Sequence, residues 1–142
     1  MWGPQSPQPK WWEAQTPCPD GSKLVGSPPP PGNTLECRDA AGKRNGMSST
    51  WFESGHSGTM TEYKNDVPDG KWMYWVHNHR LIEGQYKMGR RDGPWTYYFG
   101  PSSAFGVKER YDRDVEKDYF VEQYQDGLLV WTKHFRDGKP VD

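Results

Sequence analysis

Gly70-Lys71-Trp72-Met73-Tyr74-Trp75 and, 23 residues later, Gly93-Pro94-Trp95-Thr96-Tyr97-Tyr98 are two versions of one run, each preceded by an aspartate. Asp-Gly supplies the positive-φ residues that tight hairpin turns demand. The large side chains after it alternate as they do along a β-strand: Trp72, Tyr74 and Val76 fall on one face, Met73 and Trp75 on the other. Both faces of the resulting sheet therefore carry apolar weight. Working outward, Asn45-Gly46 stands 24 residues before Asp69-Gly70 and opens a degenerate first unit, with Ser48 in the first Trp place and Trp51-Phe52 in register.

Each aromatic run leads into a second turn, at Glu53-Ser54-Gly55, His77-Asn78-His79 and Gly100-Pro101-Ser102-Ser103. A second strand then ends on Tyr63, Tyr86 and Tyr111, and seven residues separate Tyr63 from Gly70 and Tyr86 from Gly93. Landmarks that agree three to a unit define an internal repeat. The C-terminal part keeps the rhythm in shorter form: Tyr124-Gln125-Asp126-Gly127 and Phe135-Arg136-Asp137-Gly138 are turns flanking the strand Leu128-Leu129-Val130-Trp131, while Asp118 replaces a glycine of the pattern. The expected fold is all-β: tandem antiparallel hairpins forming an elongated meander sheet over residues 42–142, preceded by a Pro/Trp-rich arm over residues 1–41.

Composition supports a strand-built domain. Of 142 residues, 16 are Gly and 13 Pro, which disfavours long helices, and Val, Leu, Ile and Phe total only 19. Eight Trp, eight Tyr and five Phe must supply the core instead. Eighteen basic against 19 acidic residues leave a net charge of −1, without the cationic excess that nucleic-acid binding needs. Mean hydropathy is −1.08, and Met1 is followed by Trp2, Gly3 and Pro4, so neither a transmembrane segment nor a signal peptide is expected in the chain as given.

Nine prolines lie in the first 31 residues, together with Trp2, Trp11 and Trp12. This arm is expected to be extended or polyproline II, not helix or central strand, with its tryptophans folding back to cap the sheet's open edge or offering a second contact. Cys18 and Cys37 flank the run Pro28-Pro29-Pro30-Pro31. Paired, they would place the chain in a secreted or envelope compartment; free, in the cytoplasm.

The pattern Tyr-x-x-Gly-x-x-Asp-Gly-x-Trp-x-x-Tyr, present as Tyr86-Lys-Met-Gly89-Arg-Arg-Asp92-Gly93-Pro-Trp95-Thr-Tyr97-Tyr98, resembles the bacterial variant of the MORN repeat, over about residues 42–139. His79 and Asp118 depart from it where it usually has glycine. The opening Cys18-Pro-Asp-Gly-Ser-Lys-Leu24 is similar to segments preceding such repeats in some bacterial envelope lipoproteins. The resemblance implies an elongated antiparallel sheet used for contacts, not catalysis.

No motif for catalysis stands in a supporting context. His77 and His79 lie at a hairpin tip with no further ligand fixed by spacing, so no metal or cofactor is expected. The carboxylates Asp112, Asp114, Glu116 and Asp118 alternate with Lys and Arg as a solvated stretch does. The reading is a non-catalytic protein-interaction or assembly module of the bacterial cell envelope. Trp51, Trp75 and Tyr98 are its expected contact residues, with Trp11 and Trp12 as a second contact or cap. Its partner would be another protein or a second copy. Two alternatives use the same residues: a cell-wall glycan-binding module, and an antitoxin-like inhibitor of a toxin protein.

Overall fold

The computed structural model describes residues 8–52, 55–77, 79–98 and 119–141. They form a single open antiparallel sheet of eleven strands: β1 (Ser22–Ser27), β2 (Thr34–Asp39), β3 (Arg44–Phe52), β4 (Ser57–Lys64), β5 (Val67–Val76), β6 (His79–Lys87), β7 (Arg90–Arg91), β8 (Gly93–Tyr97), β9 (Tyr119–Gln125), β10 (Leu128–Arg136) and β11 (Lys139–Val141). Each strand lies beside its neighbours in sequence, with short β7 and then β8 following on the same side of β6. The meander expected from the repeat is thus the fold. The turn residues Glu53, Ser54, Asn78 and 100–103, and the segment holding Tyr111 and Asp118, lie outside the described residues.

The hairpin turns do not fall where Asn-Gly and Asp-Gly first suggest. Asn65-Asp66 and Met88-Gly89 turn the chain, all at positive φ, four residues upstream of Gly70 and Gly93. Gly42, also at positive φ, stands at the same offset before Gly46. Gly46 and Gly70 instead lie inside β3 and β5, where pairing with the preceding strand slips by bulges between Glu36 and Arg38 and between Thr61 and Tyr63. Their φ values of 116° and 124° show why glycine is needed, and a bulge demands it as strictly as a turn does. Only Asp126-Gly127 and Asp137-Gly138 are themselves the turns.

Each bulge glycine faces a tyrosine on the next strand: Gly46 opposes Tyr63, Gly70 opposes Tyr86 and Gly93 opposes Tyr124. Tyr124 therefore stands opposite the third glycine, and Tyr111 lies outside the described residues. A second contact recurs in step. The backbone N–H of Asp66 donates to the carbonyl of Arg44, Gly89 to Pro68 and Gly127 to Arg91, at 2.9, 2.8 and 3.0 Å. Each turn thereby leans on the residue two before the previous bulge glycine. In the first unit the Asp66 carboxylate also accepts from the Arg44 backbone N–H and guanidinium, which hold it below the usual carboxylate range.

The register divides side chains between two faces. Leu35, Cys37, Trp51, Met60, Trp75 and Val121 are buried on one; of the buried apolar residues described, only Trp95 lies on the other. The arm explains the asymmetry. A 3-10 turn at Trp11–Glu13 rests on the first face, where the Trp11 indole N–H donates to Ser49 Oγ at 2.8 Å and Trp12 meets Trp51 edge-on at 5.4 Å. We call this the arm face and the opposite one the open face.

The arm caps a face, not the sheet's edge. Residues 22–39, expected as extended arm, form the hairpin β1–β2, with β2 paired on both sides and the proline run serving as its connection. The boundary placed after residue 41 thus falls between two paired strands of one sheet. Cys18 and fully buried Cys37 are disulfide-bonded, their Cα atoms 5.6 Å apart, which ties the arm to β2. Such a pairing fits an oxidising compartment. No described helix is long and apolar enough to cross a membrane.

Two outcomes test this architecture. Gly84 lies under the Trp95 indole, and an added Cβ would come within 2.3 Å of the ring, so Gly84→Ala is expected to cost about 1–3 kcal/mol in urea unfolding. Replacing both Cys18 and Cys37 by Ser is expected to cost about 3 kcal/mol, the loop-closure value for a 19-residue separation, with reductant reproducing the loss in the unmodified chain.

Candidate functional site

The open face carries a continuous ladder of aromatic rings. By register, Phe52, Trp72, Tyr74, Tyr86, Trp95, Tyr97, Phe120 and Tyr124 all project from it, across β3 to β9. Phe52 meets Tyr74 at 6.3 Å, Tyr74 meets Trp72 at 6.4 Å, and Trp72 stacks on Trp95 at 5.2 Å. Tyr86 and Tyr124 close on Trp95 edge-on at 5.1 and 6.5 Å, while Tyr97 and Phe120 stack at 4.5 Å and 4°. Trp95 is 1 % exposed beneath these neighbours. Phe52 is exposed, and Trp72, Tyr74, Tyr97 and Phe120 are half-buried.

Polar groups hold the ladder's far end. The Arg91 guanidinium lies 4.4 Å over the Trp95 ring and 5.4 Å over Tyr124, and donates to the hydroxyls of Tyr97 and Tyr124 at 3.0 and 3.3 Å. Tyr124 donates in turn to Glu122 at 3.1 Å. Toward the N-terminus the same face becomes hydroxylic: Thr34, Thr50, Thr59 and Thr61 replace rings, with Thr50 and Thr59 hydrogen-bonded at 2.6 Å. The open face is thus half aromatic and half polar.

Of these contacts, Trp72–Trp95 and Tyr97–Phe120 are stacked, Phe52–Tyr74 and Tyr74–Trp72 are tilted at 37° and 31°, and Tyr86 and Tyr124 meet Trp95 edge-on. What the surface offers is an apolar ridge with hydroxyl tips, well suited to contact with another apolar surface. Among the described residues no group of three or more His, Cys, Asp or Glu is placed to hold a metal ion.

The residues singled out from sequence lie on the arm face. Trp51 and Trp75 are 7 % and 1 % exposed and flank Gly58, each paired with it across a strand. A partner would reach neither without displacing what covers them; they are core. Trp11 and Trp12 join Trp51 as its cover. Tyr98 is separate, its hydroxyl donating to Glu83, which also pairs with Arg80, while its ring leans on Tyr119. Trp72 and Trp95 stand on the open face, Trp95 buried and Trp72 half-buried. Period-two alternation separates Trp72 from Trp75 in the sequence, but not which of the two faces the arm covers.

No family model, curated protein or solved structure matches this chain.

Burial raises the Tyr97 and Tyr98 hydroxyls above the usual phenol range, and the neighbouring Glu122 and Glu83 carboxylates push the same way. A phenol whose folded pKa lies above its unfolded value keeps its proton in the folded chain after the unfolded chain has lost it. The stability this contributes is full below about pH 10 and falls as pH rises toward the folded pKa. Alkaline titration followed at the phenolate absorbance is expected to show these two tyrosines ionising only with loss of structure. Uniform ionisation near pH 10 with circular dichroism unchanged would contradict it.

Proposed function

We propose that this chain is a non-catalytic binding module of the bacterial cell envelope, a MORN-like scaffold that grips another protein through the aromatic half of its open face. One observation carries the reading: a single-layer sheet projects eight contiguous aromatic side chains on the face opposite its arm. Aromatic rings with hydroxyl tips are favoured anchors at protein interfaces, and the polar Thr rows beside them resemble an interface rim. The disulfide supports a location outside the reducing cytoplasm.

A cell-wall glycan remains the competing ligand. Sugar rings stack on open aromatic faces, and here the Trp72–Trp95 and Tyr97–Phe120 stacks and Arg91 over Trp95 occupy ring faces, which favours a protein. An antitoxin-like role would be one instance of protein binding, with a toxin as the partner.

The test is capture of a partner from native envelope extract by the immobilised, disulfide-intact chain. Tyr74→Ser with Tyr97→Ser is expected to weaken the captured complex by about 2 kcal/mol or more, close to thirtyfold in Kd, with far-ultraviolet circular dichroism unchanged. Quenching of tryptophan fluorescence by cell-wall saccharides, abolished by the same pair, would move the assignment to glycan. Capture indifferent to the pair would remove the open face as the site.

A further inference from the structure

We propose that residues 128–133, the open edge of β10, pair antiparallel with the same six residues of a second copy of this chain. Among the described residues, the lane beside β10 is only partly filled. β10 has nine residues, and β11 pairs with just His134, Phe135 and Arg136. The preceding six have no described strand on that side. They are also unusually apolar for an edge: Leu128, Leu129, Val130 and Trp131 are 73, 52, 55 and 37 % exposed. An unpaired strand edge offers a row of main-chain donors and acceptors that only another extended chain can satisfy.

The second copy is selected by the bulge within this segment. Leu129 opposes Tyr124 and Trp131 opposes Gln123, so Val130 is the extra residue and shares the arm face with Trp131. Leu128 and Lys133, opposite Gln125 and Val121, also take the arm face; Leu129 and Thr132, opposite Tyr124 and Glu122, take the open face. From 128 to 133 the faces run arm, open, arm, arm, open, arm. This order is the same in both directions.

Antiparallel pairing about the midpoint between Val130 and Trp131 therefore matches faces at every position: Leu128 with Lys133, Leu129 with Thr132, Val130 with Trp131. A regularly alternating strand cannot do so. The sheet's other edge, β1, pairs one-for-one with β2 over all six residues and alternates without a slip, so it mismatches this pattern. The two Lys133 side chains, the only charges in the paired segments, would stand at opposite ends, about 17 Å apart. The apposition is two-fold and closes at a dimer.

Sedimentation equilibrium of the full, disulfide-intact chain, with hydrogen exchange across residues 128–133, tests this. The expected result is a monomer–dimer equilibrium, with amide protection in that segment rising with concentration. Val130→Lys is expected to weaken the dimer at least about tenfold, whereas Leu24→Lys on β1 leaves it unchanged. Leu128→Lys, which sets like charges against Lys133 of the second copy, repeats the test should Val130→Lys disturb pairing with β9. A chain monomeric at its highest soluble concentration, a dimer indifferent to these β10 substitutions, or assemblies that grow beyond two would each overturn the proposal.

Discussion

A lone sheet has two faces and one thickness of backbone, and everything else in this molecule answers to that constraint. Helices or a second sheet usually roof one face. Here residues 8–21 do it with a short 3-10 turn and two tryptophans, so the roof is thin. Two features make it sufficient. The disulfide fixes the arm's end to β2, and the indole of Trp11 satisfies Ser49, a hydroxyl with no access to water. The arm thereby turns Trp51 and its neighbours from exposed rings into core, and it leaves the opposite face to stabilise itself through contacts between its own side chains.

Ring-on-ring stacking is how the open face does so. With so few aliphatic residues, the chain cannot interdigitate branched side chains into a conventional layer. Rings standing side by side shield one another, and Trp95 reaches near-complete burial, with no covering element among the described residues, because Trp72, Tyr86, Tyr124 and Arg91 surround it. Gly84 is part of the same solution, since only a missing side chain lets the indole lie against the strand. The same contacts occupy ring faces of Trp72, Trp95, Tyr97 and Phe120, so the way this face is stabilised also limits the ligands it can stack against.

The sequence was most legible where its period was short. Strand alternation in Trp72-Met73-Tyr74-Trp75 and the repeat of Gly and Tyr landmarks followed from local pattern, whereas two cysteines 19 residues apart left paired and free states both open. Turns were less legible because positive φ serves two purposes: Gly46 and Gly70 need it for bulges, while Met88 adopts it in a turn with no glycine's advantage. The site was least legible. Nothing local to Trp75 or Trp72 says which of them lies under the arm, because that depends on Trp11 and Ser49, 38 residues apart, meeting across the sheet.

The third repeat shows what the unit of this architecture is. Tyr63 follows Gly46, and Tyr86 follows Gly70, by similar short spans, yet Tyr124 lies far beyond Gly93 across the insertion 99–118. The cross-strand contacts survive it unchanged: Gly93 still opposes a tyrosine, and Gly127 still donates to the carbonyl two residues before the bulge glycine. Spacing along the chain is therefore a consequence of the repeat and not its definition. Because each strand needs only its immediate neighbours, length added at a strand end perturbs no register. The physical repeat is a glycine bulge answered by a tyrosine and a turn that docks on the preceding unit, and it continues the sheet wherever those two contacts can be made.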